Sequence, residues 1–135
     1  MQRFVEIILI TIFSLTIVFH LLVITSVIPP DIVWGSRLNS PDQLIIFESI
    51  SILLNGFFLA VMLVKVGFLK ANLSPKVIRG LQWGMFALFL LNTVGNLASE
   101  SSFEKMVFTP VTLILSICLL ISILSKRKQT PASSQ

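Results

Sequence analysis

Charge, cysteine and histidine are all scarce in this chain: charged residues make up 12% of 135, and there is one cysteine and one histidine. The lone Cys118 excludes an intramolecular disulfide, and without a C-x-x-C pair there is no thiol–disulfide exchange centre. That removes the four-helix membrane enzymes that make disulfides at a quinone; Cys118 reads as a small apolar filler. His20, with a single carboxylate to join it, falls short of a zinc site, so no metal or other cofactor is expected. Also missing is an A-x-A-like cleavage site after the first apolar run, where Thr25-Ser26-Val27-Ile28-Pro29 stands instead. The run is also longer than the about 7–15 apolar residues of a signal peptide, so it reads as a retained span. Internal repeats and low-complexity tracts are absent.

What remains is apolar. Hydrophobic residues reach 55% and mean hydropathy is +0.96, far from an ordinary soluble domain. A membrane-crossing helix needs about 20 mostly apolar residues, given about 30 Å of hydrocarbon and a rise of about 1.5 Å per residue. Stretches 4–27, 41–68, 75–97 and 102–124 all satisfy this. A soluble four-helix bundle would keep a polar face on each helix, whereas 4–27 and 106–124 are apolar nearly all round. The fold class expected is therefore an all-α membrane protein, a four-transmembrane-helix bundle in one domain (1–128). A short disordered cytoplasmic tail, 129–135, is expected to follow.

The net charge of +4 and pI near 9.7 raise nucleic acid as a partner, but the positions of the charges exclude it. Arg3, Lys65, Lys70, Lys76, Arg79, Lys126, Arg127 and Lys128 all fall on one side of a chain that crosses four times, and only Arg37 and Lys105 on the other. By the positive-inside rule both termini and the middle loop are cytoplasmic. Asp31, Asp42, Glu48, Glu100 and Glu104 lie at or near the outer side, with Glu6 alone inside. The basic excess thus reads as topology, with the lipid bilayer and its anionic headgroups as the partner.

Helix starts are marked locally. Ser40-Pro41-Asp42-Gln43 is a capping box with proline at the first helical position; Ser74-Pro75 opens the third span, and Ser101-Ser102-Phe103-Glu104 the fourth. Pro110 then falls inside the fourth helix and predicts a kink there, because a start at Pro110 would leave too few residues to span. Pro29-Pro30-Asp31 is expected to stop the first helix. On the third helix Gly80, Gly84, Ala87, Gly95 and Ala98 lie within about 80° of one another. The G-x-x-x-G pair in this stripe permits close backbone approach, chiefly within the bundle, alternatively to a second copy in a homodimer through the Gly80/Gly84 face.

Polar side chains at membrane depth are costly unless partnered and mark a site by default. At about 1.5 Å per residue, His20, Glu48, Asn92 and Asn96 share the outer third of the bilayer, with Asn55 beneath them and Thr109 and Thr112 alongside. Glu48, Ser51 and Asn55 share a helix face, as do Asn92, Asn96 and Ser99, and His20 follows Thr16 by one turn. In a four-helix bundle these stripes converge inward. The ligand-binding candidates are thus His20, Trp34, Arg37, Glu48, Asn55, Asn92, Asn96 and Thr112, with an Arg37–Glu48 pair expected at the centre. A hydrogen bond from His20 to Glu48 or an asparagine is the plainer expectation for the histidine, and interhelical bonding that for the asparagines. Lys65, one turn from the cytoplasmic edge, is expected to snorkel to the headgroups, and Trp83 to anchor at the interface.

The stretches 30–38 (Pro-Asp-Ile-Val-Trp-Gly-Ser-Arg-Leu), 89–96 (Phe-Leu-Leu-Asn-Thr-Val-Gly-Asn) and 103–113, with Phe103-Glu104-Lys105 and Phe108-Thr109-Pro110-Val111-Thr112-Leu113, resemble a group of small four-helix bacterial inner-membrane proteins without a known activity. The resemblance implies a multi-pass protein of the bacterial inner (plasma) membrane and brings no chemistry with it. The function expected is a polar pocket in the outer half of the bundle that binds or passes a small ligand or lipid headgroup. Three alternatives stand beside it. One is an enzyme using His20 and Glu48 with Ser51 or Thr112 as nucleophile. Another is a dimeric proton-coupled exporter titrating Glu48, and the last a structural subunit of a larger complex.

Overall fold

The computed structural model describes residues 2–29, 33 and 40–125. It contains four long helices: α1 (Gln2–Ile24), α2 (Pro41–Val66), α3 (Pro75–Leu97) and α4 (Thr109–Leu124), the last entered through a π-helical turn at Glu104–Phe108. With that turn included, each helix is long and apolar enough to cross a membrane, at 23, 26, 23 and 21 residues. The protein is a multi-pass membrane protein with an all-α, four-helix bundle.

All three predicted helix starts carry the capping bond. The Ser40 hydroxyl accepts the Gln43 amide, the Ser74 hydroxyl the Val77 amide and the Ser101 hydroxyl the Glu104 amide, each at 3.3 Å, and proline follows at the first helical position in the first two. Helix ends differ more from expectation. α1 stops at Ile24, well before Pro29, because Ser26 adopts a left-handed conformation (φ 59°) and the Val27 amide turns back to the Leu22 carbonyl at 2.9 Å. α2 ends on Gly67, whose φ of 85° is open to glycine at no steric cost. The irregularity expected at Pro110 is a π turn immediately before it, in which the Thr109 amide bonds the Glu104 carbonyl five residues back.

α1 packs along α2, and α3 along α4; α1 and α4 join the two pairs, while α2 and α3 barely touch. The shared core is apolar and central, built on Leu9, Phe13, Met62, Met85, Leu115 and Leu119, with Cys118 among them as a small filler. Large apolar residues such as Leu53 and Leu91, more than 70% exposed, cover the outside, which is the side lipid wets. The glycine stripe of α3 belongs to that outside. A Cβ added at Gly80, Gly84 or Gly95 would meet nothing within 4 Å, so the expected close packing within the bundle does not occur. The physical reason lies on the opposite face of the same helix, where Gln82, Met85, Phe89 and Thr93 are the buried residues.

Candidate functional site

Polar side chains collect at the two ends of the bundle, separated by the apolar core. At the end where α1 finishes and α2 begins, α1 delivers His20 and α2 delivers Glu48. Glu48 is completely buried, and its Oε2 lies at hydrogen-bond distance, 2.6 Å, from His20 Nδ1. Phe19 stacks edge-on against the imidazole at 5.7 Å and against Phe108 at 5.2 Å, fixing the ring between α1 and the π turn. The expected partner Arg37, like Trp34, lies outside the described residues.

Below this pair the helices enclose a cavity of about 620 Å³. Of the eight candidate residues, His20, Asn55, Asn92, Asn96 and Thr112 line it, and Glu48 stands directly behind His20. Its floor is Phe58 and Phe89, which form a mutually stacked trio with Phe13 at centroid separations of 5.7–5.9 Å. Val33, from the connection between α1 and α2, also lines it and is buried. The lining is mostly apolar with a few convergent polar groups, the usual makeup of a small-molecule site.

The polar groups differ in how far they are satisfied. Thr112 donates to the Phe108 carbonyl at 2.8 Å, and its oxygen lies 3.0 Å from the Thr93 hydroxyl and 3.5 Å from Asn96 Nδ2, a link between α3 and α4. Asn55 Nδ2 donates to the Ser51 carbonyl at 2.8 Å, but Asn55 Oδ1 is buried without a partner among the described residues. Asn92 is exposed at the cavity's edge and likewise has no hydrogen bond among the described residues.

Glu104 is a site residue that the sequence reading missed. It is buried, lines the cavity, and accepts a hydrogen bond from the Ser99 hydroxyl, while its own amide donates to Ser101 Oγ at 3.3 Å. Within the S-x-x-E capping box it reads as a surface cap; the π turn is what rotates its carboxylate inward.

The opposite end overturns the expectation for Lys65. Its amine does not reach for the headgroups. It points inward, 2.6 Å from Ser122 Oγ, 2.8 Å from the Ser122 carbonyl, 3.1 Å from Gln82 Oε1 and 3.8 Å from Glu6 Oε1. Gln82 Nε2 adds a bond to Ser122 Oγ at 3.1 Å, and Gln2 one to Glu6 at 3.3 Å. Each of the four helices contributes, so this cluster ties the bundle together. Acceptors at hydrogen-bond distance outcompete the headgroups because a buried cation gains most from partners in a low dielectric. A signal was present in the sequence: Glu6, Lys65, Gln82 and Ser122 all lie within about two to three turns of the same end.

Among the described residues no group of three or more histidine, cysteine or acidic side chains could hold a metal ion. No family model, curated protein or solved structure matches the chain.

Proposed function

We propose that this is a small bacterial inner-membrane protein with both termini in the cytoplasm, whose cavity at the outward-facing His20 end binds or passes a small ligand or lipid headgroup. The observation that carries the reading is the 620 Å³ cavity itself, lined by five of the residues whose depth and helical face had marked them as site candidates. The buried His20–Glu48 pair provides a fixed polar head to it, and the aromatic floor an apolar one. The alternatives have less behind them. Neither the Ser51 nor the Thr112 hydroxyl hydrogen-bonds His20 among the described residues, which leaves an enzyme without an activated nucleophile. A proton-coupled exporter needs a carboxylate that solvent can reach, and Glu48 is completely buried against His20. The outward Gly80/Gly84 face favours a homodimer, but it is compatible with either reading.

The test is ligand-dependent stability. An occupant at a hundredfold over its Kd stabilises the folded state by about 2.7 kcal/mol. Purified protein should therefore melt several degrees higher in the presence of a total lipid and small-molecule extract of its native membrane. Ser51→Trp, which fills the cavity from α2, should fold as the wild type does and lose that increment. A shift of equal size in both proteins, or none in the wild type, would refute the pocket as the site.

A further inference from the structure

The way α2 and α3 part company bears on what the cavity takes. The two helices meet at the Lys65 end, through Gln82 to Lys65 and Met62, and at mid-height through Phe58 and Phe89. Beyond the phenylalanines no hydrogen bond, ion pair or ring contact joins α2 to α3 among the described residues, and the cavity lies between them. Ile50 and Leu54 on α2 and Asn92 on α3 line the cavity and are also exposed on the outside of the bundle. The cavity therefore opens sideways, at a depth where the surroundings are hydrocarbon. Leu15 of α1 is in the same position on the other flank, but there α1 and α4 pack against each other.

Two amides stand on opposite sides of that opening. Asn92 carries an unpartnered amide at the mouth, among the described residues, which in hydrocarbon costs several kcal/mol unless something pairs with it. Asn55 lies across from it with a buried Oδ1 that accepts nothing among the described residues. The terminal torsion of an asparagine turns within a broad, shallow well, so a small rotation presents that oxygen to an occupant. The Glu104 carboxylate lines the cavity and that of Glu48 stands behind His20, so an anionic head meets like charge there. The remaining lining, Phe19, Phe58, Leu88, Phe89 and Val111, suits an alkyl or isoprenoid chain.

We infer that the cavity is loaded from within the bilayer through the α2–α3 gap by an uncharged, hydroxyl-headed amphiphile, a lipid alcohol, whose hydroxyl donates to Asn55 Oδ1 and accepts from the Asn92 amide. This rests on the proposed reading of the cavity as a ligand site and names the ligand class and its route.

The experiment uses the full chain in lipid nanodiscs containing a trace of a twelve-carbon alcohol bearing a chain diazirine, with dodecan-1-ol and dodecanoate as competitors. After irradiation, labelled residues are located by peptide mass analysis. The expected result is labelling concentrated around Ile50, Leu54, Leu88 and Phe89 that dodecan-1-ol displaces and dodecanoate does not. Asn55→Leu and Asn92→Leu should each reduce the displaceable labelling by about tenfold, the value of one hydrogen bond. Asn92→Leu lies at an exposed mouth where loss of folding is not at issue, so it remains informative if Asn55→Leu misfolds. Displacement by dodecanoate as effective as by the alcohol would overturn the ligand class while leaving the pocket standing. Labelling spread over the lipid-facing residues Phe4, Ile7 and Leu53, and indifferent to both variants, would overturn the inference and the pocket together.

Discussion

Lys65 occupies a position from which a membrane-helix lysine ordinarily reaches out to the headgroups, yet its amine is enclosed by Ser122, Gln82 and Glu6. The two arrangements predict different responses to mutation. A snorkelling lysine changed to methionine would cost nothing measurable. With the inward arrangement, Lys65→Met strands the Glu6 carboxylate in a largely buried site, and breaking such a pair costs about 3 kcal/mol. Thermal unfolding in detergent should show that loss, and the double change Lys65→Met with Glu6→Gln should recover most of it. A neutral Lys65→Met would show that the inward contacts contribute nothing. His20 and Glu48 present the converse case. Their depth and helical faces were legible in sequence, and so was a hydrogen bond between them as one of several pairings. Helical-wheel geometry gives the side of a helix but not the distance across to the next one, which is why the pair at 2.6 Å could not be singled out beforehand.

Among the helices, α4 departs furthest from its sequence pattern. Proline within a helix removes one backbone donor and clashes with the carbonyl four residues back, and the chain accommodates this by a π turn over Glu104–Phe108. The inserted residue rotates everything upstream of it relative to the rest of the helix, and so brings the Glu104 carboxylate to Ser99 and the cavity. Deleting Val107 should restore a plain α-helical register and swing Ser102–Met106 by about 100°. In the wild type Ser99→Ala should cost about 1–3 kcal/mol, since it leaves a buried carboxylate short of a donor. In the deletion variant the same change should cost close to nothing. Equal costs in the two backgrounds would mean that the π turn does not place Glu104. Helix starts were readable because Ser40, Ser74 and Ser101 cap through local hydrogen bonds. The end of α1 was not, because Ser26 takes a left-handed conformation usually left to glycine or asparagine.

On the scale of the whole molecule, the bundle was legible in the length and apolarity of its four runs, and the convergence of polar residues in their shared depth. The cavity was not legible, because it depends on α2 and α3 separating above Phe58 and Phe89, a matter of interhelical packing rather than of any one helix's periodicity. Orientation is open to direct test in the loops at either end. With Cys118 replaced by serine, a cysteine at Glu100, at the His20 end, should react with a membrane-impermeant maleimide on intact cells. One at Asn72, in the exposed connection between α2 and α3, should react only after permeabilisation. The opposite pattern would invert the molecule.

The central claim is that the His20 end of the bundle encloses a ligand, and native mass spectrometry of protein released directly from its own membrane tests it most directly. The wild type should carry a small molecule of defined mass, of a size that fits about 620 Å³, and Ser51→Trp, which fills the cavity from α2, should fly as bare polypeptide. Bare polypeptide from the wild type, or the same bound mass on the filled variant, would contradict it.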